Sequence, residues 1–116
     1  MRETALLIVF ACACGKREAS DTSTREMISG LARDMRASQR ELSALEDSLD
    51  RSLGDSVAIL LHRAEATWEQ YRRQECDAIR IAFAQGSVAP VAQMECWVAL
   101  TDDRDRFLRR EYDFAR

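Results

Sequence analysis

The sequence predicts an all-α protein, an elongated antiparallel bundle of three helices. Apolar residues recur at steps of three and four along most of the chain, and no long run alternates with period two. The chain contains only 4 Gly and 1 Pro, so few positions interrupt these helical patterns. Its 116 residues suffice for one domain with a modest core. Three helices of roughly 25–30 residues with two short connections account for this length.

The first helix is predicted to begin at Ser23, because Ser23 and Glu26 have the spacing of a capping box. It is predicted to end at Gly54, since glycine readily takes the left-handed conformation after a last helical turn. A heptad-like apolar seam follows this helix, with one polar break at Ser38. The seam comprises Ile28, Leu31, Met35, Leu42, Leu45 and Leu49.

Asp55 or Ser56 is expected to cap the second helix, which stops before Gly86. Ser87 is expected to cap the third helix, with Pro90 in its first turn, where a missing N–H costs nothing. The predicted core positions of the second helix are Val57, Leu60, Leu61, Ala64, Trp68, Tyr71, Cys76, Ile79 and Phe83. Those of the third helix are Val91, Met94, Trp97, Leu100, Phe107, Leu108 and Tyr112.

Residues 1–14 are predicted to be a lipoprotein signal peptide. Nine consecutive apolar residues are too few to span a bilayer, but they fit the core of a signal peptide. Small residues before a cysteine, followed by Gly15, resemble a bacterial lipobox, in which the cysteine is lipid-modified and becomes the mature N-terminus. Cys14 is the preferred lipidation site and Cys12 is the alternative. An ordinary cleaved signal peptide and a buried first helix remain alternative interpretations of the apolar run.

This interpretation divides the rest of the chain into two parts. Residues 15–22 are expected to form a polar tether, and residues 23–116 the helical domain. The protein is therefore expected to be exported and lipid-anchored at the bacterial cell envelope, with its domain in the periplasm or at the cell surface.

The two remaining cysteines, Cys76 and Cys96, are predicted to form a disulfide between the second and third helices. An even pair in an exported chain is typical of a disulfide. Both cysteines lie ten residues from Gly86, so an antiparallel hairpin centred there places them at the same level.

Composition and motif content argue against nucleic-acid binding, metal binding and catalysis. The formal net charge is −3, and no basic patch with interleaved aromatic residues is present. His62 has no partner at the spacing of a zinc site or a catalytic triad, so we expect it to lie at the surface or beside an apolar seam. No nucleophile, phosphate loop or paired carboxylates can be recognised. The sequence therefore predicts no catalytic residue, no metal and no cofactor.

Two segments carry a resemblance to a known family. They are "WEQYRRQEC" and "GSVAPVAQMECWVALTDDR", and together they resemble the lysozyme inhibitor LprI family over roughly residues 38–110. The positions that match the family pattern are Trp68, Tyr71, Arg72, Cys76, Gly86, Ser87, Pro90, Cys96, Leu100, Thr101 and Arg104. The chain departs from that pattern at Ser43, Arg73 and Gln85. The resemblance implies an exported, helical, disulfide-containing domain, with some members inhibiting lysozyme, and it supplies no catalytic residues.

The aromatic and arginine residues of these segments are expected to be structural. Trp68 and Trp97 have helical core spacing, and Arg72 lies one turn after Trp68 and can stack on its ring. In the hairpin centred on Gly86, Arg104 lies across from Trp68 and is an alternative partner for it.

Asp102, Asp103 and Asp105 are expected to form a solvated acidic face, and they are the candidate binding face for a basic partner. Two functions from different classes remain. The first is an envelope-anchored binding protein that inhibits lysozyme or another wall-degrading enzyme, helped by electrostatic steering of a basic partner. The second is an assembly lipoprotein that pairs with another envelope protein through its first helix.

Overall fold

The computed structural model describes residues 15–83 and 86–113, with side chains from residue 22 onward. Within those residues there are three helices and no strand: α1 spans Gly15–Ser52, α2 spans Asp55–Ala82 and α3 spans Val88–Glu111. The predicted all-α three-helix bundle is confirmed. The lipidation candidates Cys12 and Cys14 lie outside the described residues, so acylation stays a prediction.

The third helix is the centre of the bundle. It packs along both α1 and α2, whereas the backbones of α1 and α2 approach each other only sparsely. Direct links between α1 and α2 are made by long polar side chains, such as Gln39 with Arg72 and Asp50 with His62. Because Gln39 and Arg72 lie at the same level and the two helices are antiparallel, Ile28 of α1 lies level with Phe83 of α2. The first turns of α1 therefore extend beyond the hairpin of α2 and α3.

A short layer of leucines forms the apolar core. Five leucines are buried together, and the partly buried Leu53, Trp68 and Tyr112 pack against them. The buried leucines are Leu42, Leu45, Leu49, Leu61 and Leu108. The seam of α1 is thus confirmed between Ser38, which is also buried, and Leu49. Its earlier members, Ile28, Leu31 and Met35, are half-buried.

Six predicted core positions are wrong, because the structure leaves them exposed. They are Val57, Leu60, Ala64, Tyr71, Phe83 and Phe107. The buried face of α2 consists instead of Leu61, Glu65, Arg72 and Cys76. Since α2 packs mainly against one neighbour, it buries a narrow stripe, and the predicted stripe was too wide.

The predicted helix ends also need correction. The first helix begins at Gly15 rather than Ser23, because the residues between them, including Lys16, Arg17 and Glu18, favour a helix and none breaks it. The segment 15–22 predicted as a tether is therefore helical. Gly54 is not left-handed: it is extended (φ −67°, ψ 153°) and precedes α2 as its N-cap.

The side-chain caps predicted for the starts of α2 and α3 do not form. Asp55 is the first residue of α2 rather than its cap, and Ser56 follows it inside the helix. Ser87 occupies the N-cap position of α3 as predicted, with Pro90 in the first turn, but its hydroxyl caps no backbone N–H. Gly86 has the positive φ of 86° that lets the chain turn between α2 and α3.

The predicted disulfide between α2 and α3 is confirmed. Cys76 and Cys96 are bonded, with their Cα atoms 5.5 Å apart. The two residues are separated by 20 positions in the chain, so the bond restricts a sizeable loop of the unfolded chain. Cys76 is almost completely buried, which shields the bond from solvent.

Replacing both Cys76 and Cys96 with Ser should lower the free energy of unfolding by about 3 kcal/mol, because the unfolded chain regains the freedom that the loop removed. Denaturant unfolding followed by circular dichroism measures this change, with the oxidised wild type as reference. Helical signal should persist in the variant, since the leucine core is intact. Alkylation of Cys76 and Cys96 in the denatured, unreduced wild type would contradict the assignment.

Candidate functional site

The guanidinium of Arg72 lies between two indole rings. Its Cζ atom is 4.6 Å from the ring centroid of Trp68 and 3.7 Å from that of Trp97. Trp68 precedes Arg72 by one turn on α2, and Trp97 reaches across from α3. Both distances are within the range of cation–π attraction, which strengthens when the cation is removed from water, and Arg72 is only 3% exposed. The predicted stacking on Trp68 is confirmed, and Trp97 completes it.

The same guanidinium connects all three helices by hydrogen bonds. Its Nη1 donates to Oε1 of Gln39 on α1 at 3.0 Å and to Oγ1 of Thr101 on α3 at 2.7 Å. The Thr101 hydroxyl is fully buried and donates onward to the carbonyl oxygen of Trp97 at 2.7 Å. One side chain on α2 therefore fixes the positions of both neighbouring helices.

Arg72 is a buried cation that is held by rings and neutral oxygens. Within the described residues no carboxylate forms an ion pair with it, and the N–H of its buried Nε donates to no acceptor. Burial lowers the pKa of the Arg72 guanidinium, and the nearby charges of Glu69 and Glu46 oppose this shift. The carboxylates of Glu69 on α2 and Glu46 on α1 thus help to stabilise the buried charge.

Arg104 forms another polar contact between α2 and α3. Its guanidinium makes a salt bridge to Oε1 of Glu65, through Nη2 and through Nε, the latter at 2.9 Å. Its Cζ also lies 6.0 Å from the Trp68 ring and 5.2 Å from the Phe107 ring. The predicted alternative of an Arg104–Trp68 contact is therefore realised together with the Arg72 stack. The strongest partner of Arg104 is nevertheless Glu65, which the sequence analysis did not single out.

Most residues of the two matching segments contribute to the fold rather than to an open site. Trp68, Arg72 and Thr101 belong to the stack, and Arg104 to the salt bridge described above. Gly86, Ser87 and Pro90 form the turn and the start of α3, while Leu100 is half-buried on that helix. Tyr71 differs from the others, because half of its surface is exposed.

The predicted acidic face on α3 is largely neutralised by arginines. Asp103 forms a salt bridge with Arg106, and Asp105 accepts two hydrogen bonds from Arg109, at 2.6 and 3.0 Å. The Asp105 side chain is only 14% exposed, so it does not lie on an open solvated face. Asp102 is half-buried. The role of this trio in binding stays a prediction, but its field is weaker than three free carboxylates would produce.

A second acidic region lies between α1 and α2, and the sequence analysis missed it. The sparse packing of these two helices leaves a groove of about 280 Å³. Five carboxylates and one histidine line it: Glu46, Asp47, Asp50, Glu65, Glu69 and His62. The antiparallel turn at Gly54 was the signal that could have located it, since this turn brings the acidic stretch of α1 around Glu46 alongside that of α2 around Glu65.

The two glutamates in the middle of the groove share a hydrogen bond. Burial, the hydrogen bond to Glu65 and the negative charges of Glu65 and Glu69 raise the pKa of Glu46 to about 7, although Arg104 acts in the opposite direction. The Glu46 carboxyl is therefore substantially protonated at neutral pH and can donate to its partner. The groove holds a carboxyl–carboxylate pair.

His62 lies at the surface, one of the two positions expected for it, and its Nε2 is 2.8 Å from Oδ1 of Asp50. Within residues 15–83 and 86–113, no group of three or more His, Cys, Asp or Glu side chains is placed to hold a metal ion. In the same part of the chain, no helix combines the length and the apolarity needed to cross a bilayer.

Replacing Arg72 with Ala should lower the free energy of unfolding by about 3 kcal/mol, because the ring contacts and two hydrogen bonds between helices are lost. The matched control is Arg73→Ala, which removes the same charge from the next, exposed position and should change stability by less than about 0.5 kcal/mol. Chemical denaturation measures both variants. Equal free energies of unfolding for the two variants would show that the stack contributes nothing to stability.

Comparison with known proteins identifies the family. The model of the family described as "Lysozyme inhibitor LprI" matches residues 14–108. No curated protein and no solved structure matches the chain. The match extends the resemblance of the two sequence segments to almost the whole helical region, including the first helix. The chain therefore belongs to the lysozyme inhibitor LprI family.

Proposed function

We propose that the protein is an envelope-anchored inhibitor that binds lysozyme and blocks it without chemical turnover. The observation that carries this proposal is the family match over residues 14–108. The family also suggests an exported protein, which agrees with the signal peptide predicted for residues 1–14. The chain has a formal net charge of −3, and this charge favours association with a basic enzyme.

The alternative assembly role has less support. It requires the apolar seam of α1 to be available for another envelope protein. In the folded chain, Leu42, Leu45 and Leu49 of this seam are buried in the protein's own core. Only the earlier part of the seam, around Ile28 and Met35, is half-exposed. The binding function is therefore preferred.

Attachment to the membrane through a lipid on Cys14 is part of the same proposal. The helix α1 begins at Gly15, directly after this cysteine. Residues 15–24 extend beyond the hairpin of α2 and α3 and are about 15 Å long as a helix. An anchored protein would thus hold its bundle away from the membrane on a helical stalk instead of a flexible tether.

Purified, disulfide-intact protein should inhibit c-type lysozyme reversibly and at a stoichiometric ratio, because an inhibitor without a catalytic set must stay bound to act. Cell-wall lysis assays at increasing inhibitor concentration measure this ratio. The association rate should fall as salt rises from tens to hundreds of millimolar, since the Debye length is only about 10 Å at 0.1 M. Unchanged lysozyme activity at micromolar excess would rule out this function.

In cells, Cys14→Ala should move the protein from the membrane fraction to the soluble fraction, because the mutant lacks the lipidated residue. Immunoblotting of fractionated cells measures this shift. The matched control is Cys12→Ala, which should stay with the membrane. The reverse pattern would place the lipid on Cys12. A wild-type protein found in the soluble fraction would contradict acylation.

A further inference from the structure

We propose that the acidic groove between α1 and α2 binds a cationic side chain presented by a protein partner. The identity of that partner as lysozyme rests on the proposed function. The cation-binding chemistry itself comes from the charges, burial and shape of the groove.

The groove has more carboxylates than cations to balance them. Of its five carboxylates, Asp50 is bonded to His62 and Glu65 forms a salt bridge with Arg104. Within the described residues, the other three form no ion pair. These three are Glu46, Asp47 and Glu69. A surface with this excess of negative charge attracts cations. The attraction is strongest when a cation enters between the carboxylates.

One carboxylate oxygen in the groove points to a ligand independently of the charge count. Glu65 is only 8% exposed, and its Oε2 is buried but accepts no hydrogen bond from any protein nitrogen or hydroxyl group. While Glu46 is ionised, this buried carboxylate oxygen has no donor, which is costly because it has lost its water and gained no replacement. An arriving guanidinium or ammonium group supplies the missing donor and a compensating charge.

The proton shared by Glu46 and Glu65 is consistent with such a role. Two carboxylates at close range are stable when a proton or a cation lies between them, since two negative charges otherwise repel each other. The raised pKa of Glu46 means that a proton fills this role near neutral pH. A partner's cation competes with that proton and displaces it. The charged and titratable groups around Glu46 are Asp47 and Asp50 on α1, His62, Glu65, Glu69 and Arg72 on α2, and Arg104 on α3.

The shape of the groove also fits a long cationic side chain. Its volume of about 280 Å³ exceeds that of a single water molecule many times over. Apolar side chains of Ala58, Leu61 and Ala66 line it beside the carboxylates. Arginine and lysine combine an apolar stem with a charged end, so both parts of such a side chain find a matching surface here.

The test compares two charge-neutralising variants of the same helix. Glu69→Gln removes a groove carboxylate, and Glu75→Gln removes an exposed carboxylate that does not line the groove. Binding of c-type lysozyme and of a hexa-arginine peptide is measured by titration calorimetry, with hexa-citrulline as the uncharged control peptide. We expect Glu69→Gln to weaken both interactions about tenfold and Glu75→Gln to weaken them less than about twofold. Asp47→Asn, at an exposed position, repeats the test away from the buried charges.

The outcomes separate this inference from the proposed function. Lysozyme binding that is equally strong in Glu69→Gln, Asp47→Asn and Glu75→Gln would contradict cation binding in the groove. The proposed inhibition of lysozyme would be unaffected by that result. If lysozyme does not bind, the peptide decides: a groove-specific loss of peptide binding supports the inference while the proposed function fails. Equal effects of the three variants on the peptide, or equal binding of hexa-citrulline, would overturn the inference.

A second readout follows the displaced proton. Titrations of wild type with hexa-arginine at pH 7, in two buffers of different ionisation enthalpy, should reveal proton release on binding, because the cation displaces the proton on Glu46. Glu46→Gln cannot ionise and should release none. Since Glu46 gains a proton as the pH falls through about 7, wild-type affinity should be lower at pH 6 than at pH 8. Equal proton release in both proteins would contradict the displacement.

Discussion

The burial of one arginine between two indole rings is the constraint on which the bundle depends. Arg72 extends from α2, stacks on Trp97 of α3 and donates hydrogen bonds to Gln39 on α1 and Thr101 on α3. A buried cation is stable only where rings, dipoles or counter-charges replace its water, and these partners must be in position at the same time. The packing of three helices is therefore coupled through one side chain, while a short leucine layer provides most of the apolar burial.

This coupling separates residues that build the fold from residues that are available for a partner. Most of the two segments that resemble the LprI family lie in the stack, the Glu65–Arg104 salt bridge, the disulfide or the turn at Gly86. Because α3 packs against both neighbours while α1 and α2 are linked mainly by polar side chains, a groove stays open between those two helices. Glu46 and Glu69 line that groove and also favour the charge on Arg72. The proposed binding region and the central cation are thus electrostatically linked, and Glu65 of the groove lies on the same buried face of α2 as Arg72.

The helices, the hairpin and the disulfide could be predicted from the sequence, because each depends on spacing along the chain. Cys76 and Cys96 lie symmetrically about Gly86, and this symmetry is visible without coordinates. The polar interior could not be predicted in the same way, since the pattern of apolar residues contains no information about which polar side chains are enclosed. The capping motif at Ser23 and Glu26 predicts too late a start for α1, because no residue between Gly15 and Ser23 interrupts the helix. The acidic groove was missed because its carboxylates belong to two helices, and each looks like an ordinary solvated residue on its own.

A double-mutant cycle between Arg72→Ala and Trp97→Leu tests the central claim most directly. The free energies of unfolding of the wild type, the two single variants and the double variant give the energy with which the two side chains interact across α2 and α3. If the stack couples the helices, the two single losses together should exceed the loss in the double variant by at least about 1 kcal/mol. Additive losses, within about 0.5 kcal/mol, would mean that the two residues act independently and would contradict the account.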